Sequence, residues 1–458
     1  MWRLVDLLLV VGAASLIYYK RVTEGGALTG ESIRYRSDFV FFAAVSLAII
    51  AGVFGLLRGP RMRLTQTERI VFCALTSYLM FSIIATLISV VVYNLRFDLI
   101  GLGNFSKTVL GIALSVVTYV RLQENRALYK WLAAALYLPP AITLVIGAAY
   151  LVSPGVYWTV IEDPSTVYTQ ASLLSDAYRF QGLATNPFHV LISSSVAIGF
   201  LWPLMIDRVF KRHLIVASIG FSYIIGLVFL IFWTMTRTGV LVLLFVLACA
   251  GILTLYNMKR TALKLLLALP IGVLLIVIAW ALMPAEFAEM YTARFYSKDV
   301  RVGQWEYYTG GRIEIWKYFA EVAIAHPLGV GFNFEQRFFV DSSYQEKLNP
   351  HSVLLMAWMF GGIGGFASMM IAVWAVLRSI VMQIWRGCGA AGFLYYVGAV
   401  SGLLGTWIPF WGPSFHDFTH GILFAMVLSG VPATERIAAT TQREPVAVTP
   451  RAGRLVAG

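Results

Sequence analysis

Long apolar stretches alternate with short polar connections along most of the chain. Each is close to the roughly 20 residues that a helix needs to cross a bilayer. About twelve spans are predicted, at 4–19, 38–57, 70–93, 104–120, 130–151, 188–206, 214–233, 238–256, 264–283, 351–377, 391–410 and 417–431. No small-residue cleavage site follows the first, so it is read as a retained helix. Two connections are longer than the rest, 152–187 and 284–350, and long ordered loops usually carry function. Within the second, TGGRIEIWKYFAEVAIAHPLGVG has helical periodicity. Ile313, Trp316, Ala320 and Ala323 fall on one face, and Glu314, Lys317 and Glu321 on another. Pro327 and Gly329 end that helix.

Composition agrees with the pattern: 59% of the 458 residues are hydrophobic and only 13% charged, far from the usage of soluble domains. The net charge of +12 orders the spans. Arg58, Arg61 and Arg63 follow the second, Arg121, Arg126 and Lys130 the fourth, and Arg208, Lys211 and Arg212 the sixth. Lys259, Arg260 and Lys264 follow the eighth, and Arg378 and Arg386 the tenth. Because basic residues are retained on the cytoplasmic side, both termini read as cytoplasmic and the two long loops as outward. Lys20, Arg21, Arg34 and Arg36, after the first span, depart from this alternation. The same topology accounts for the basic charge without a nucleic-acid partner. Cys73, Cys249 and Cys388 do not suggest a disulfide framework.

The expected fold class is an all-α polytopic membrane protein of about twelve transmembrane helices. A single transmembrane domain covers 1–432, its long outward loop carries helices before the tenth span, and the tail at 433–458 has a disordered composition.

Candidate chemistry gathers on the outward side. In NPHSVLLMAWMFGGIGGF, residues 349–366, Asn349 suits an N-cap and Pro350 the first helical position, which puts His351 in the first turn of the tenth span. There the helix dipole disfavours the imidazolium form, and a neutral imidazole accepts a proton from a hydroxyl. On a continuous helix Gly362 and Gly365 lie about 20° and 40° from His351. Glycine lets a neighbouring helix approach, so this face would hold the histidine toward the interior. The competing reading is an interfacial histidine among lipid headgroups. Arg237, in TMTRTG, and Arg312, in TGGR, open helices, where cations are unfavourable and anions bind. An anionic ligand reconciles both. Alternatives are snorkelling for Arg237 and a carboxylate partner or solvent for Arg312. Arg179, in YRFQGLATNPFHV, is a third outward candidate. His416 and His420 have the i, i+4 spacing of metal ligands, with only Asp417 nearby and a structural or interfacial role as the alternative. Nucleotide phosphate loops, Asp-X-Asp pairs and Gly-X-Ser-X-Gly elbows are lacking.

In these residues the chain resembles the bacterial O-antigen ligase and O-antigen polymerase superfamily of membrane glycosyltransferases. The ligase motif is His, then Asn, Ser or Gln, nine residues, Gly, two residues, and Gly, Thr or Tyr. Here it reads His351, Ser352, Gly362 and Gly365. The Thr236–Gly239 turn and GGRIEIWKYFAEVAIAHPLGVGF are similar to further family segments, and the specific likeness covers about 180–377.

The resemblance implies a multi-pass protein of the bacterial inner membrane, working on the periplasmic face. The donor would be a glycan on undecaprenyl diphosphate, and the acceptor a hydroxyl of lipid A-core or another glycan. Transfer would be inverting, without a metal or cofactor, amid membrane lipids. His351 would activate the acceptor, Arg237, Arg312 and Arg179 would bind the diphosphate, and Ser352, Gly362 and Gly365 would be structural. Alternatives are a polymerase of the same superfamily, which builds O-antigen or exopolysaccharide, and an enzyme that attaches glycan to protein. Outside the class stands a lipid-linked glycan transporter or flippase. Transporters place ionisable residues and broken helices near the bilayer midplane, whereas here Asp6 and Lys107 lie near span ends.

Overall fold

The computed structural model describes residues 2–14, 44–52, 64–92, 99–152, 187–234, 236–256, 300–302, 305–307, 312–333, 352–385, 390–410 and 418–430, with scattered positions between 274 and 292. The described fold is helical apart from one antiparallel ribbon, β1 (Val300–Val302) and β2 (Trp305–Tyr307). The helices are α1 (Trp2–Ala14), α2 (Gln66–Val92), α3 (Leu99–Glu124), α4 (Leu128–Val152), α5 (Pro187–Phe210), α6 (Leu214–Trp233), α7 (Arg237–Tyr256), α8 (Arg312–Ala325), α9 (Val353–Trp385), α10 (Ala390–Phe410) and α11 (Phe418–Ser429). Residues 44–52 are also helical.

Six of these helices, α2 to α6 and α9, are long and apolar enough to cross a membrane. Stretches in α7, α10 and α11 are apolar but shorter. Their outer faces carry bare aliphatic side chains: Ile215 is 79% exposed and Val145 69%. Such surface is stable against lipid tails and costly against water. Hydroxyls inside the helices bond back to their own backbone, as Ser115 Oγ does to the Gly111 carbonyl and Thr406 Oγ1 to that of Gly402.

Within the bundle α2 lies along α9 and α3 along α11. α5 packs on α6 and α10, and α7 on α10 and α5; α11 also packs on α10, and α4 on α1 and α5. The α5–α10 crossing is close: a Cβ on Gly199 would stand 3.2 Å from the Gly402 nitrogen, and one on Gly398 2.7 Å from the Phe200 Cα. Small residues allow that approach.

All twelve residues of α11 are buried. At about 18 Å it is shorter than the roughly 30 Å hydrocarbon core, and it sits within the bundle where the sequence suggested a last full span. At the other end of α3, Arg121 is 5% exposed. It donates to Asp6 at 2.7 and 3.0 Å, pairs with Glu124, and lies over the Trp2 ring at 4.6 Å. Asp6 also accepts from Asn125 at 2.8 Å. This network pins α1 to the bundle.

Candidate functional site

The geometry of the site begins with a break in α9. Gly362 has φ +62° and ψ −158°, a conformation open to glycine and costly to other residues. In an unbroken helix the Ile363 N–H would donate to the Met359 carbonyl, four residues back. Here a turn from the segment after α8 takes both groups. Ile363 N–H donates to the Pro327 carbonyl at 2.8 Å, and Val330 N–H donates to the Met359 carbonyl at 2.7 Å. One intrahelical bond is thus exchanged for two bonds to the inserted turn. Unpaired backbone groups inside an apolar bundle are costly, so each partner satisfies the other. The break lies nine residues past the start of α9, about 14 Å along its axis.

The turn is seated from α2 and α3 as well. Ser89 Oγ donates to the Val330 carbonyl, and Thr86 Oγ1 accepts from Phe332 N–H at 3.0 Å while donating to the Ser82 carbonyl at 2.7 Å. Asn104 Nδ2 donates to the Phe332 carbonyl at 3.4 Å. A 3-10 turn, Gly331–Asn333, closes the segment. The buried Phe332 ring packs on Phe360 at 5.0 Å and on Phe105 at 5.5 Å. Gly331 has φ +75°, and a Cβ there would strike the Thr86 backbone at 2.4 Å.

These positions change the sequence reading of the glycines. Gly362 is where the helix stops being a helix, so rotation from His351 does not carry through to Gly365. It receives a turn of chain, whereas the neighbours that approach α2 are Gly361, Gly364 and Gly365, beside Ser82, Phe81 and Tyr78. A Cβ on Gly365 would also lie 2.6 Å from the Ala357 carbonyl oxygen. Eight residues of straight helix would separate those positions by about 12 Å, so the break folds the two halves of α9 against one another.

The start of α9 also differs from expectation. Ser352, not Asn349, is the N-cap: its carbonyl accepts from Met356 N–H at 2.9 Å, and its Oγ accepts from Leu355 N–H at 3.3 Å. His351 therefore immediately precedes the cap, and it lies outside the described residues, as do Arg179, His416, Asp417 and the 433–458 tail. His420 is buried in α11.

Arg237 and Arg312 are the first residues of α7 and α8, as the sequence suggested. The α6–α7 connection is short, with Thr234 Oγ1 2.8 Å from Thr236 Oγ1 and Gly239 N–H donating to the Thr236 carbonyl at 2.9 Å. In α8, Lys317 and Glu321 are exposed as expected. Its deepest residues are Phe319 and Ala323, each 1% exposed; Phe319 was missing from the predicted apolar face. α8 packs on α9, so the inserted turn ties the element opened by Arg312 to the element opened by Ser352. The helix opened by Arg237 packs on α5 and α10.

Sequence reasoning missed the seat itself: Thr86, Ser89, Asn104 and Phe332. The available signal was the adjacent Gly361–Gly362 pair within a long span, since glycine pairs are among the recognised causes of kinks.

Arrays of apolar helices with one broken helix filled by a turn from a preceding connection define a polytopic membrane protein. Residues 222–370, about a third of the chain, match the family model described as O-antigen ligase. The match begins within α6, runs through α7, α8 and the inserted turn, and ends in α9 past its break, and it supports the O-antigen ligase superfamily. No curated protein matches the chain. The matched segment contains Arg237, Arg312, His351, Ser352, Gly362 and Gly365, and excludes Arg179. The family match supports an enzyme of the ligase or polymerase type, a family that implies lipid-linked glycan substrates and a glycan acceptor.

Proposed function

We propose that the protein is an O-antigen ligase that transfers a glycan from undecaprenyl diphosphate to a hydroxyl of lipid A-core on the periplasmic face of the inner membrane. The observation that carries this reading is the family match over the segment in which Gly362, a glycine of the ligase motif, receives the Pro327–Val330 turn. Twelve spans and cytoplasmic termini, read from the apolar runs and basic loops, put the start of α9 outward.

In this mechanism the acceptor oxygen attacks the anomeric carbon opposite the diphosphate. The new C–O bond forms as the bond to the diphosphate breaks, inverting the configuration. The bonding pair leaves on the diphosphate, and the hydroxyl proton passes to His351. Arg237 and Arg312 bind the diphosphate and stabilise its growing charge, their forked donors matching phosphate oxygens. Arg179 is the third candidate contact. The reaction uses no metal. The seated turn contributes position, because it fixes where α8 ends relative to the start of α9.

Glycan profiling of cells lacking the protein, complemented with wild type or His351→Ala, tests the reading. Loss of long chains from lipopolysaccharide while full-length chains accumulate on undecaprenyl diphosphate is the expected result, restored by wild type and not by the variant. Accumulation of single repeat units with no polymer anywhere would make it a polymerase instead. Movement of the lipid-linked glycan across vesicles without transfer would make it a flippase.

A further inference from the structure

Lys107 stands on α3 about 12 Å from its Leu99 end, and its side chain is exposed. Among the described residues Arg121 has Asp6, Lys211 has Asp207, and Arg378 lies over the Trp374 ring, while the exposed Lys130 and Arg208 stand within a turn of a helix end. Lys107 has no ion-pair or aromatic partner among them. The helix begins at Leu99, earlier than the span start at 104 read from the sequence, so Lys107 stands about two turns inside rather than near its end, and an ionisable group inside a span is costly and generally functional.

The local geometry says what such a partner would meet. Helical side chains lean toward the N-terminus and cover the preceding turn, so Lys107 extends over Gly103, about 40° away around the helix. A Cβ on Gly103 would find nothing within 4 Å; the patch beneath the ammonium is bare and open. On the opposite flank, about 60° away, Asn104 holds the Phe332 carbonyl of the inserted turn. With Arg121, Arg126 and Lys130 marking the cytoplasmic end of α3, the Leu99 end faces outward. The lysine stem then lifts its charge toward the phosphate level of the outer leaflet.

We propose that Lys107 and the open face at Gly103 form a phosphate subsite for a polyprenyl diphosphate, beside the turn that joins α8 to α9. The identity of that lipid rests on the function proposed above; a bulk anionic phospholipid offers the same phosphate chemistry. The subsite lies on α3, outside the matched O-antigen ligase segment.

The test is lipid retention by the full chain in phosphatidylcholine nanodiscs doped with undecaprenyl diphosphate or with phosphatidylglycerol, read by native mass spectrometry. Lys107→Gln is expected to weaken retention of the diphosphate about tenfold, the scale of one charge-assisted hydrogen bond, with Lys107→Arg near wild type. Gly103→Leu keeps the charge, its Cβ meets no neighbour within 4 Å, and by filling the patch it should also lose the diphosphate. Losses confined to phosphatidylglycerol would overturn the assignment to the polyprenyl lipid, and unchanged retention of both would overturn the subsite. Because retention is read without glycan transfer, failure of the ligase reading in cells leaves this test independent.

Discussion

Gly329 and Gly362 stand so close that neither has room for a side chain. A Cβ on Gly329 would lie 2.4 Å from the Gly362 nitrogen, and one on Gly362 would lie 2.4 Å from both the Leu328 carbonyl carbon and the Pro327 oxygen. Both residues also have positive φ, +82° and +62°. Gly329→Ala and Gly362→Ala should each destabilise the protein by roughly 2–5 kcal/mol, from strain and overpacking together. Thermal unfolding in detergent measures this, and wild-type stability in either variant would contradict the seating of the turn.

The hydroxyls of α2 supply a separable part of the seat. Ser89→Ala removes the donor to the Val330 carbonyl, and Thr86→Val removes the acceptor for Phe332 N–H. Each leaves a buried backbone group unpaired, at about 1–3 kcal/mol. Faster hydrogen exchange at Phe332 in Thr86→Val, with α6 unaffected, is the expected signature.

At the start of α9 the cap itself can be tested. Ser352→Ala should lose about 1 kcal/mol, whereas Ser352→Asn should stay within a few tenths of wild type. Equal losses in the two variants would show that the Ser352 hydroxyl does something other than cap Leu355.

The Arg121–Asp6 pair makes a fourth case. Both side chains are largely buried, at 6% and 14% exposure, so Asp6→Ala leaves Arg121 with only Glu124 and the Trp2 ring. The loss should be about 2–3 kcal/mol, below the penalty for a fully stranded buried charge, and should release α1, read as new protease sensitivity near the N-terminus. A double-mutant cycle with Arg121→Met should show strong coupling between the two positions.

Much of the helical frame was legible because length and apolarity decide it: the runs at 70–93, 188–206 and 214–233 correspond to α2, α5 and α6. The break at Gly362 was not, because periodicity arguments assume a continuous helix and the glycine pair fits close packing as well as a kink. Capping misled for a related reason. Asn349, Pro350 and Ser352 are all good helix-start residues, and only the bonds from Leu355 and Met356 select Ser352. Of the candidate chemistry, the sequence correctly opened helices at Arg237 and Arg312. It gave no sign of Thr86 and Ser89, whose partners lie more than two hundred residues away.

A broken helix is also a transporter trait, and here its filling matters. The freed groups at Met359 and Ile363 are taken by backbone atoms of Val330 and Pro327, with hydroxyls and aromatic rings around them. Transporters commonly leave such groups to coordinate ions or substrate. This break is spent on holding a loop, so it lends the transport reading no ion-binding site.

The inserted turn also bears on biogenesis. Its seat is assembled from Thr86, Ser89 and Asn104, made early in translation, and from Met359 and Ile363, made after the turn itself. A nascent chain that has just emerged past Val330 carries the plug and the α2 and α3 side of its socket but lacks the Met359 and Ile363 side. The first helices must wait in the membrane for most of synthesis, and a ribosome stalled before Gly362 would leave a partly built bundle exposing unpaired backbone, a natural substrate for membrane quality control.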